Sequence, residues 1–193
     1  IPNLFMTFCI IPYIYIGIMN LEKYIKSIPN YPKKGILFRD ITSLLEHKQA
    51  FQFTIKKMHL LSKKIPHTKI AAIESRGFVF ASALAYLNKK PLVLLRKKNK
   101  LPGKTISQKF MLEYGMGVIE VHQSSLNKKD KVLIIDDLIA TGGTAVAAAQ
   151  LVEKCKASVA AFVFLIDLFD LPGNKLLHSK GYKTYKLIDF PGH

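Results

Sequence analysis

Two adjacent aspartates, Asp136 and Asp137, stand at the end of an apolar run and just before Ala140-Thr141-Gly142-Gly143-Thr144, in the stretch KVLIIDDLIATGGTAVAAA over 131–149. A helix that opens on Thr-Gly-Gly-Thr offers unpaired backbone N–H groups, the positive end of its dipole and two hydroxyls. Together these suit a phosphate monoester, and the glycines let the backbone approach it closely. Carboxylates placed immediately before would repel that phosphate if aimed at it. They are therefore expected to face hydrogen-bond donors or positive charge, either vicinal sugar hydroxyls or a divalent cation. A sugar with its 5-phosphate in the Thr-Gly loop and its diol against Asp136 and Asp137 meets both demands.

Positive charge adds a second clue. The chain has 29 Lys plus Arg against 13 Asp plus Glu, a formal net charge of +16, yet only Arg39, Arg76 and Arg96 are arginines. Lysines scattered as pairs along helix faces and loops read as a solvated surface. A planar guanidinium fork, by contrast, cannot be replaced by Lys where bidentate recognition is needed. The three arginines are thus the basic residues with the strongest claim to a site. His47, His59, His67, His122 and His178 have no constellation around them.

The elements that would position these groups follow from periodicity. Apolar segments alternate with helical patterns: IAAIE, GFVFASALAYL, PLVLLR, VIEVHQ, KVLIIDD, GGTAVAAAQLVEK, SVAAFVFLIDL and YKTYKLIDF. Continuous apolar strands separated by helices predict an α/β fold with a twisted parallel sheet flanked by helices. A short amphipathic helix is expected over 19–28, closed by Pro29, and a longer one over about 48–64. In such sheets ligands sit beyond the carboxyl ends of the strands. Three clusters fall there: Glu74-Ser75-Arg76-Gly77 after IAAI, Arg96-Lys97-Lys98 after PLVLL, and Asp136-Asp137 after VLII.

The run VLIIDDLIATGGT closely resembles the phosphoribosyl-diphosphate signature of the type I phosphoribosyltransferases. YPKKGILFRDIT, IESRGFVFA, LLRKKNKLPG, LEYG and the terminal FPGH are similar to the adenine phosphoribosyltransferases in particular, in order and spacing from about Tyr24 to His193. The resemblance implies transfer of a 5-phosphoribosyl group from phosphoribosyl diphosphate to adenine, giving AMP and pyrophosphate in purine salvage. By that resemblance Ala140, Thr141, Gly142, Gly143 and Thr144 would bind the 5-phosphate, and Asp136 and Asp137 the ribose hydroxyls. Arg76 would hold the pyrophosphate, assisted by Arg96, Lys97 and Lys100. Adenine would lie near Phe38 and Arg39, recognised largely by main-chain groups of Ile36, Leu37, Phe38 and Arg39, with Leu168 on its opposite face. Glu113 and Tyr114 would sit on a small hood, with Glu113 acting as the acid-base group. The resemblance further implies Mg2+ held mainly by the diphosphate substrate, a flexible loop over about 97–113, and a homodimer.

Composition sets the outer bounds. At 193 residues, 49% hydrophobic and 10% aromatic, the chain fits one globular domain with a substantial core and is not a disordered segment. Cys9 and Cys155 form no metal or disulfide spacing, which fits a reducing, cytoplasmic setting. The first eighteen residues, IPNLFMTFCIIPYIYIGI, carry no charge, but they lack a basic start and small-residue cleavage site, and Pro12 interrupts them. They read as an extension outside a single domain over 19–193, and no membrane partner is expected. Two other functions share the signature. One is a phosphoribosyl-diphosphate-sensing regulator that reads DNA; the other is an enzyme for a 6-oxopurine or orotate. The absence of a separate DNA-binding segment argues against the first and against a nucleic-acid partner. FRD with LEYG argues against the second.

Overall fold

The structure, a computed structural model, describes residues 19–112 and 115–193. Residues 1–18, Glu113 and Tyr114 lie outside the described residues, and with them the expectations attached to the N-terminal extension and the hood pair. Among the described residues no helix is long and apolar enough to cross a membrane.

The chain begins with a 3-10 turn, Leu21–Tyr24, whose first orphan N–H, that of Glu22, donates to the Asn20 side chain at 2.9 Å. The helix expected over 19–28 goes no further. From Lys26 the backbone is extended as β1 (Lys26–Pro29), paired antiparallel with β2 (Leu37–Asp40) in a separate two-stranded sheet. Pro29 cannot continue a helix, and this pairing supplies the backbone partners that a helix would otherwise have provided. Then come α1 (Thr42–Glu46) and α2 (Lys48–Ser62), the latter as its periodicity predicts.

The main sheet contains β3 (Lys69–Ile73), β4 (Leu92–Lys97), β5 (Thr105–Leu112), β6 (Gly115–His122), β7 (Lys131–Ile139), β8 (Ser158–Leu168) and β9 (Thr184–Phe190). Their spatial order is β5-β6-β4-β3-β7-β8-β9. Helices α3 (Gly77–Asn88), α4 (Gly143–Lys154) and α5 (Gly173–Ser179) fill the connections. β4, β3, β7, β8 and β9 run parallel, while β6 pairs antiparallel with β4 and with β5. The expected parallel sheet flanked by helices is present, with β5 and β6 as an antiparallel edge. Parallel neighbours need a crossover of a dozen or more residues, and the sequence between Leu112 and Gly115 is too short for one.

Both faces of the centre are buried, as the unbroken apolar runs require. Ile70, Ala72, Leu133 and Ile135 face the core under α2 and α3. The alternate residues Ala71, Ile73, Val132 and Ile134 face the core under α4. The chain leaves β3 toward β4 and later returns to the other side of β3 as β7. The carboxyl ends of β3 and β7 therefore form the switch point where such sheets open a crevice.

Within the segment 97–113, expected to be a flexible loop, residues 105–112 form strand β5. Ile106 pairs with Val121, and Gln108 Nε2 donates to Gln150 on α4 at 2.9 Å. At the other side of the crevice, the Gly173 N–H donates to the Ala140 carbonyl at 2.9 Å. A Cβ on Gly173 would strike that carbonyl and fall 2.8 Å from the Gly142 nitrogen. Both obstacles are backbone and cannot swing aside. Gly173→Ala is therefore expected to lower stability by about 1–3 kcal/mol, the usual scale for overpacking. The check is the thermal unfolding temperature, and an unchanged value would show that the loop yields without strain.

Candidate active site

A cavity of about 710 Å³ opens at the switch point, bounded by residues 73–76 after β3, Lys97 at the end of β4, residues 136–145, and Tyr31 and Phe38 of the small sheet. The charged clusters at the ends of β3, β4 and β7 do reach one rim. The peptide between Glu74 and Ser75 at the end of β3 is cis.

Residues 140–145 make an anion cradle. α4 starts after Gly142, whose φ of +86° suits glycine. No side chain caps the helix, so its first N–H groups are left for a ligand, backed by the dipole. An added Cβ on Gly142 would lie 2.8 Å from Gly173 Cα, so the loop is held against the start of α5 by backbone contact. Gly173, in the Leu-Pro-Gly that opens α5, thus shapes the loop, a role the sequence reading missed. On the open side, a Cβ on Gly143 would come 3.0 Å from the Met111 carbonyl, which places the end of β5 beside the cradle.

The aspartates sit one turn of chain earlier. Asp137 is only 4% exposed, and its N–H donates to Asp136 Oδ1 at 2.9 Å. Burial, with the neighbouring Asp137 carboxylate adding repulsion, pushes the Asp136 pKa well above the ordinary carboxyl value. Burial raises Asp137 as well, opposed by Arg76. Gly77, the first residue of α3, allows this arrangement, since a Cβ there would approach Asp136 Oδ1 and the Ile135 carbonyl at 2.9 Å each. A cation or hydroxyl donor entering the site would relieve the acidic pair.

Arg76 supplies part of that relief. Its Nη2 lies 2.9 Å from Asp137 Oδ2, but without the angle of a hydrogen bond, so this buried oxygen keeps an open lone pair. Its guanidinium carbon sits 5.1 Å from the centroid of the Phe38 ring, and Nη1 is buried with no partner among the described residues. An orphan donor of this kind is expensive unless a ligand meets it. Arg96 is placed differently. Its fork engages Glu74 at 3.2 and 3.3 Å, and its Nη1 donates to the Lys100 carbonyl at 2.9 Å. Burial alone would raise the Glu74 pKa, but the Lys97 N–H at 2.8 Å and the Arg96 fork hold it low. Arg96 thus braces the β3 and β4 ends to each other, and the exposed Lys97 lines the cavity.

The aromatic side is built by β2. Phe38 faces the cavity, and Tyr31, absent from the sequence reading, meets its ring edge-on with centroids 5.1 Å apart. Alternation along a strand sends Arg39 the other way, and it is buried behind the sheet. Ile36 and Leu37 run beside the site without lining the cavity, and Leu168 is buried in the core at the end of β8. Tyr31 carried one sequence signal, its place in the turn-rich YPKKG just before FRD.

The arrangement joins an anion cradle, a buried and a half-buried carboxylate, a guanidinium with a spare donor and an aromatic wall, a set fitted to a phosphorylated sugar beside a planar ring. The family described as "Phosphoribosyl transferase domain" matches residues 41–192. The adenine phosphoribosyltransferase of Pelagibacter ubique (strain HTCC1062) is 63% identical over 175 residues, spanning 91% of this chain and all of that protein. That of Pasteurella multocida (strain Pm70) is 47% identical over 173 residues, spanning 90% of this chain and 96% of its own. Among solved structures, the adenine phosphoribosyltransferase of Thermoanaerobacter pseudethanolicus superposes with a TM-score of 0.85 at 41% identity, covering 89% of this chain and 100% of that one. The Giardia lamblia enzyme complexed with 9-deazaadenine gives 0.84 at 33% identity, covering 88% and 96%. A fold, a cavity and a set of relatives that agree over nearly the whole described chain lead to one statement: the chain belongs to the adenine phosphoribosyltransferase family.

Proposed function

We propose that this chain transfers the 5-phosphoribosyl group from phosphoribosyl diphosphate to adenine, forming AMP and pyrophosphate in purine salvage. The observation that carries the reading is the convergence, in one cavity, of the uncapped α4 N-terminus, the Asp136–Asp137 pair and Arg76 stacked on Phe38. Residues 140–144 hold the 5-phosphate, and the two carboxylates accept hydrogen bonds from the ribose hydroxyls. Adenine lies against Phe38 and the β2 backbone over 36–39, with Leu168 behind it.

Displacing pyrophosphate builds positive charge at the anomeric carbon and negative charge on the leaving group. The orphan Nη1 of Arg76, with Lys97, meets the second, and groups fixed in advance do so without reorganising. Arg96 and Lys100 contribute by holding the rim in place. Mg2+ would add charge neutralisation at the diphosphate. Asp136 and Asp137 fit it, as adjacent carboxylates of which buried Asp137 keeps an unpartnered oxygen, but no cluster of three or more metal-binding side chains exists among the described residues. Substrate oxygens would therefore complete its shell, the usual habit of Mg2+. The LEYG match assigns Glu113 to the proton that adenine loses as the bond forms, and Tyr114 to the hood.

The domain spans 19–193 and acts in the cytoplasm as a homodimer. What supports the dimer is α3, which is apolar on nearly every side. It buries Phe80, Ala81 and Leu84 yet exposes Val79, Tyr86 and Leu87, and a helix apolar all round belongs in an interior. A second copy would cover that stripe.

The function is tested with a panel of adenine, hypoxanthine, guanine and orotate, supplied with phosphoribosyl diphosphate and Mg2+. Adenine alone is expected to yield a nucleotide, and Glu113→Leu is expected to cut turnover by about 10²-fold or more. Turnover of another base in preference to adenine would overturn the assignment, and near-normal turnover of the variant would remove Glu113 from the mechanism. Sedimentation of the same sample reads the dimer.

Arg76→Lys keeps the charge and loses the fork. It is expected to lower kcat/KM for phosphoribosyl diphosphate by about 1–3 kcal/mol of transition-state stabilisation, whereas Lys64→Ala, on an exposed turn, leaves it unchanged. Equal effects would make Arg76 an ordinary surface residue.

The acidic pair also predicts a pH dependence. Because folding raises the Asp136 pKa, the folded state binds more protons than the unfolded one as pH rises above the ordinary value of 3.8. The ligand-free protein therefore loses stability from there up to the folded pKa and stays weakened above it. Asp136→Asn removes this penalty while keeping the oxygen that accepts from Asp137. The variant is expected to melt higher than wild type at neutral pH, by about 2–4 °C for each kcal/mol relieved, and to show no advantage near pH 4. A difference in melting temperature that does not change with pH would refute the penalty.

A further inference from the structure

Arg39 is one of three arginines in the chain and the one that turns away from the cavity. It is 5% exposed, and three separate segments meet at its guanidinium. Nη1 donates to Ser27 Oγ on β1. Nη2 donates to the Pro191 carbonyl at 2.6 Å, and the guanidinium carbon lies 4.6 Å over the Phe190 ring. The negative charge of Asp170 acts on the same group. Asp170 in turn accepts the Gly192 N–H at 2.6 Å, and the Phe169 N–H donates to the Phe190 carbonyl at 3.1 Å. The C-terminal tail is thus tied to the end of β8 and capped by Arg39.

What makes this contact more than local packing is the isolation of β1 and β2. They form a two-stranded sheet that shares no ladder with the seven-stranded one, and every residue of β1 is exposed. A lone pair of four-residue strands is marginal in water. Yet this sheet carries Phe38, the wall of the cavity against which Arg76 stacks, and the backbone over 36–39. The Arg39 side chain is the polar bridge that fixes this sheet to the tail beyond β9. We infer that Arg39 is a positioning residue for the base. By clamping the small sheet onto Phe190 and Pro191, its side chain sets the distance of Phe38 and the neighbouring backbone from the sugar site without touching substrate. The inference rests on the reading above that the base lies against Phe38.

Only a fork can serve here, since two donors must reach acceptors on different segments, β1 and the tail beyond β9, while the planar face covers a ring. Lys offers one compact ammonium and no flat face. The test compares Arg39→Lys, Arg39→Met, Ser27→Ala and Phe190→Leu with wild type, reading KM for adenine, KM for phosphoribosyl diphosphate, kcat and melting temperature. Both Arg39 variants are expected to raise the adenine KM by about tenfold, the scale of one charge-assisted hydrogen bond. The KM for phosphoribosyl diphosphate should stay within about twofold, because its cradle stands on β7 and α4. Ser27→Ala and Phe190→Leu, which each remove one contact, should move the adenine KM in the same direction by less. If the Arg39 variants do not fold, the smaller pair decides, and an adenine KM unchanged in both overturns the inference. A fall in melting temperature with both KM values unmoved makes Arg39 merely structural and also overturns it, as does an equal rise in both KM values. A folded wild type that transfers nothing to adenine would overturn the functional reading itself, and the inference with it.

Discussion

The molecule is organised around two adjacent carboxyl groups toward the end of its central strand, Asp137 buried and Asp136 half-buried beside the cavity. Asp136 and Asp137 follow four fully buried apolar residues, Val132 to Ile135, so the carboxylates have no route to bulk water except through the cavity. Burying one ionised carboxylate is unfavourable, and burying two neighbours is more so. The surrounding core offsets this, since each fully buried aliphatic side chain contributes roughly 1.5–3 kcal/mol. β7 has apolar neighbours on both faces and on both edges. Gly77 and Arg76 are then fixed in type. The one must be small enough for Asp136 to fit beside α3, and the other must carry charge to Asp137. The acids thereby stay unsatisfied in a way that a diol or a cation can satisfy, and this is the source of binding energy at the site.

The anion cradle is a second consequence of the same strand. Because β7 ends at the switch point, the helix that follows it must start there, pointing its free N–H groups into the crevice. Its position is fixed by backbone against backbone, at Gly142 and Gly173. Such contacts leave almost no side-chain freedom to lose on binding, which favours a preformed site over one assembled by the ligand. The sheet centre therefore presents the acidic pair and the anion cradle as one rigid surface.

Much of this was legible in the sequence. The unbroken apolar runs gave the buried central strands, the Asp-Asp and Thr-Gly-Gly-Thr spacing gave the acid pair and the cradle, and Arg76 was singled out by residue type alone. What escaped had non-local causes. The direction of β5 and β6 follows from the short sequence between them rather than from their own composition. The 19–28 segment has a helical pattern, but pairing with β2 overrides it. Gly173 matters because of where Ala140 lies, and nothing near it in sequence says so. The cis peptide at Glu74–Ser75 involves no proline, so no local rule points to it. Arg39 and Arg96 were rightly marked as unusual, but their partners, Pro191 and Glu74, are visible only in three dimensions.

The three arginines divide the work along mechanical lines. Arg96 joins the ends of two neighbouring strands of the main sheet, so this rim of the cavity inherits the rigidity of the core. Arg76 spans the two bodies, pairing with Asp137 on the main sheet while stacking on Phe38 of the small one. Arg39 holds that small sheet to the C-terminal tail. The aromatic wall of the cavity is therefore supported by different guanidinium groups, one facing the cavity and one behind it. Stacking on a ring is weaker than a charged hydrogen bond in a buried setting, about 0.5–2 kcal/mol against 1.5–3. The rear support is then the stronger, and the front contact is the one that an anion competing for Arg76 would loosen first. A cavity built this way can exchange partners at Arg76 while keeping the aromatic wall in register.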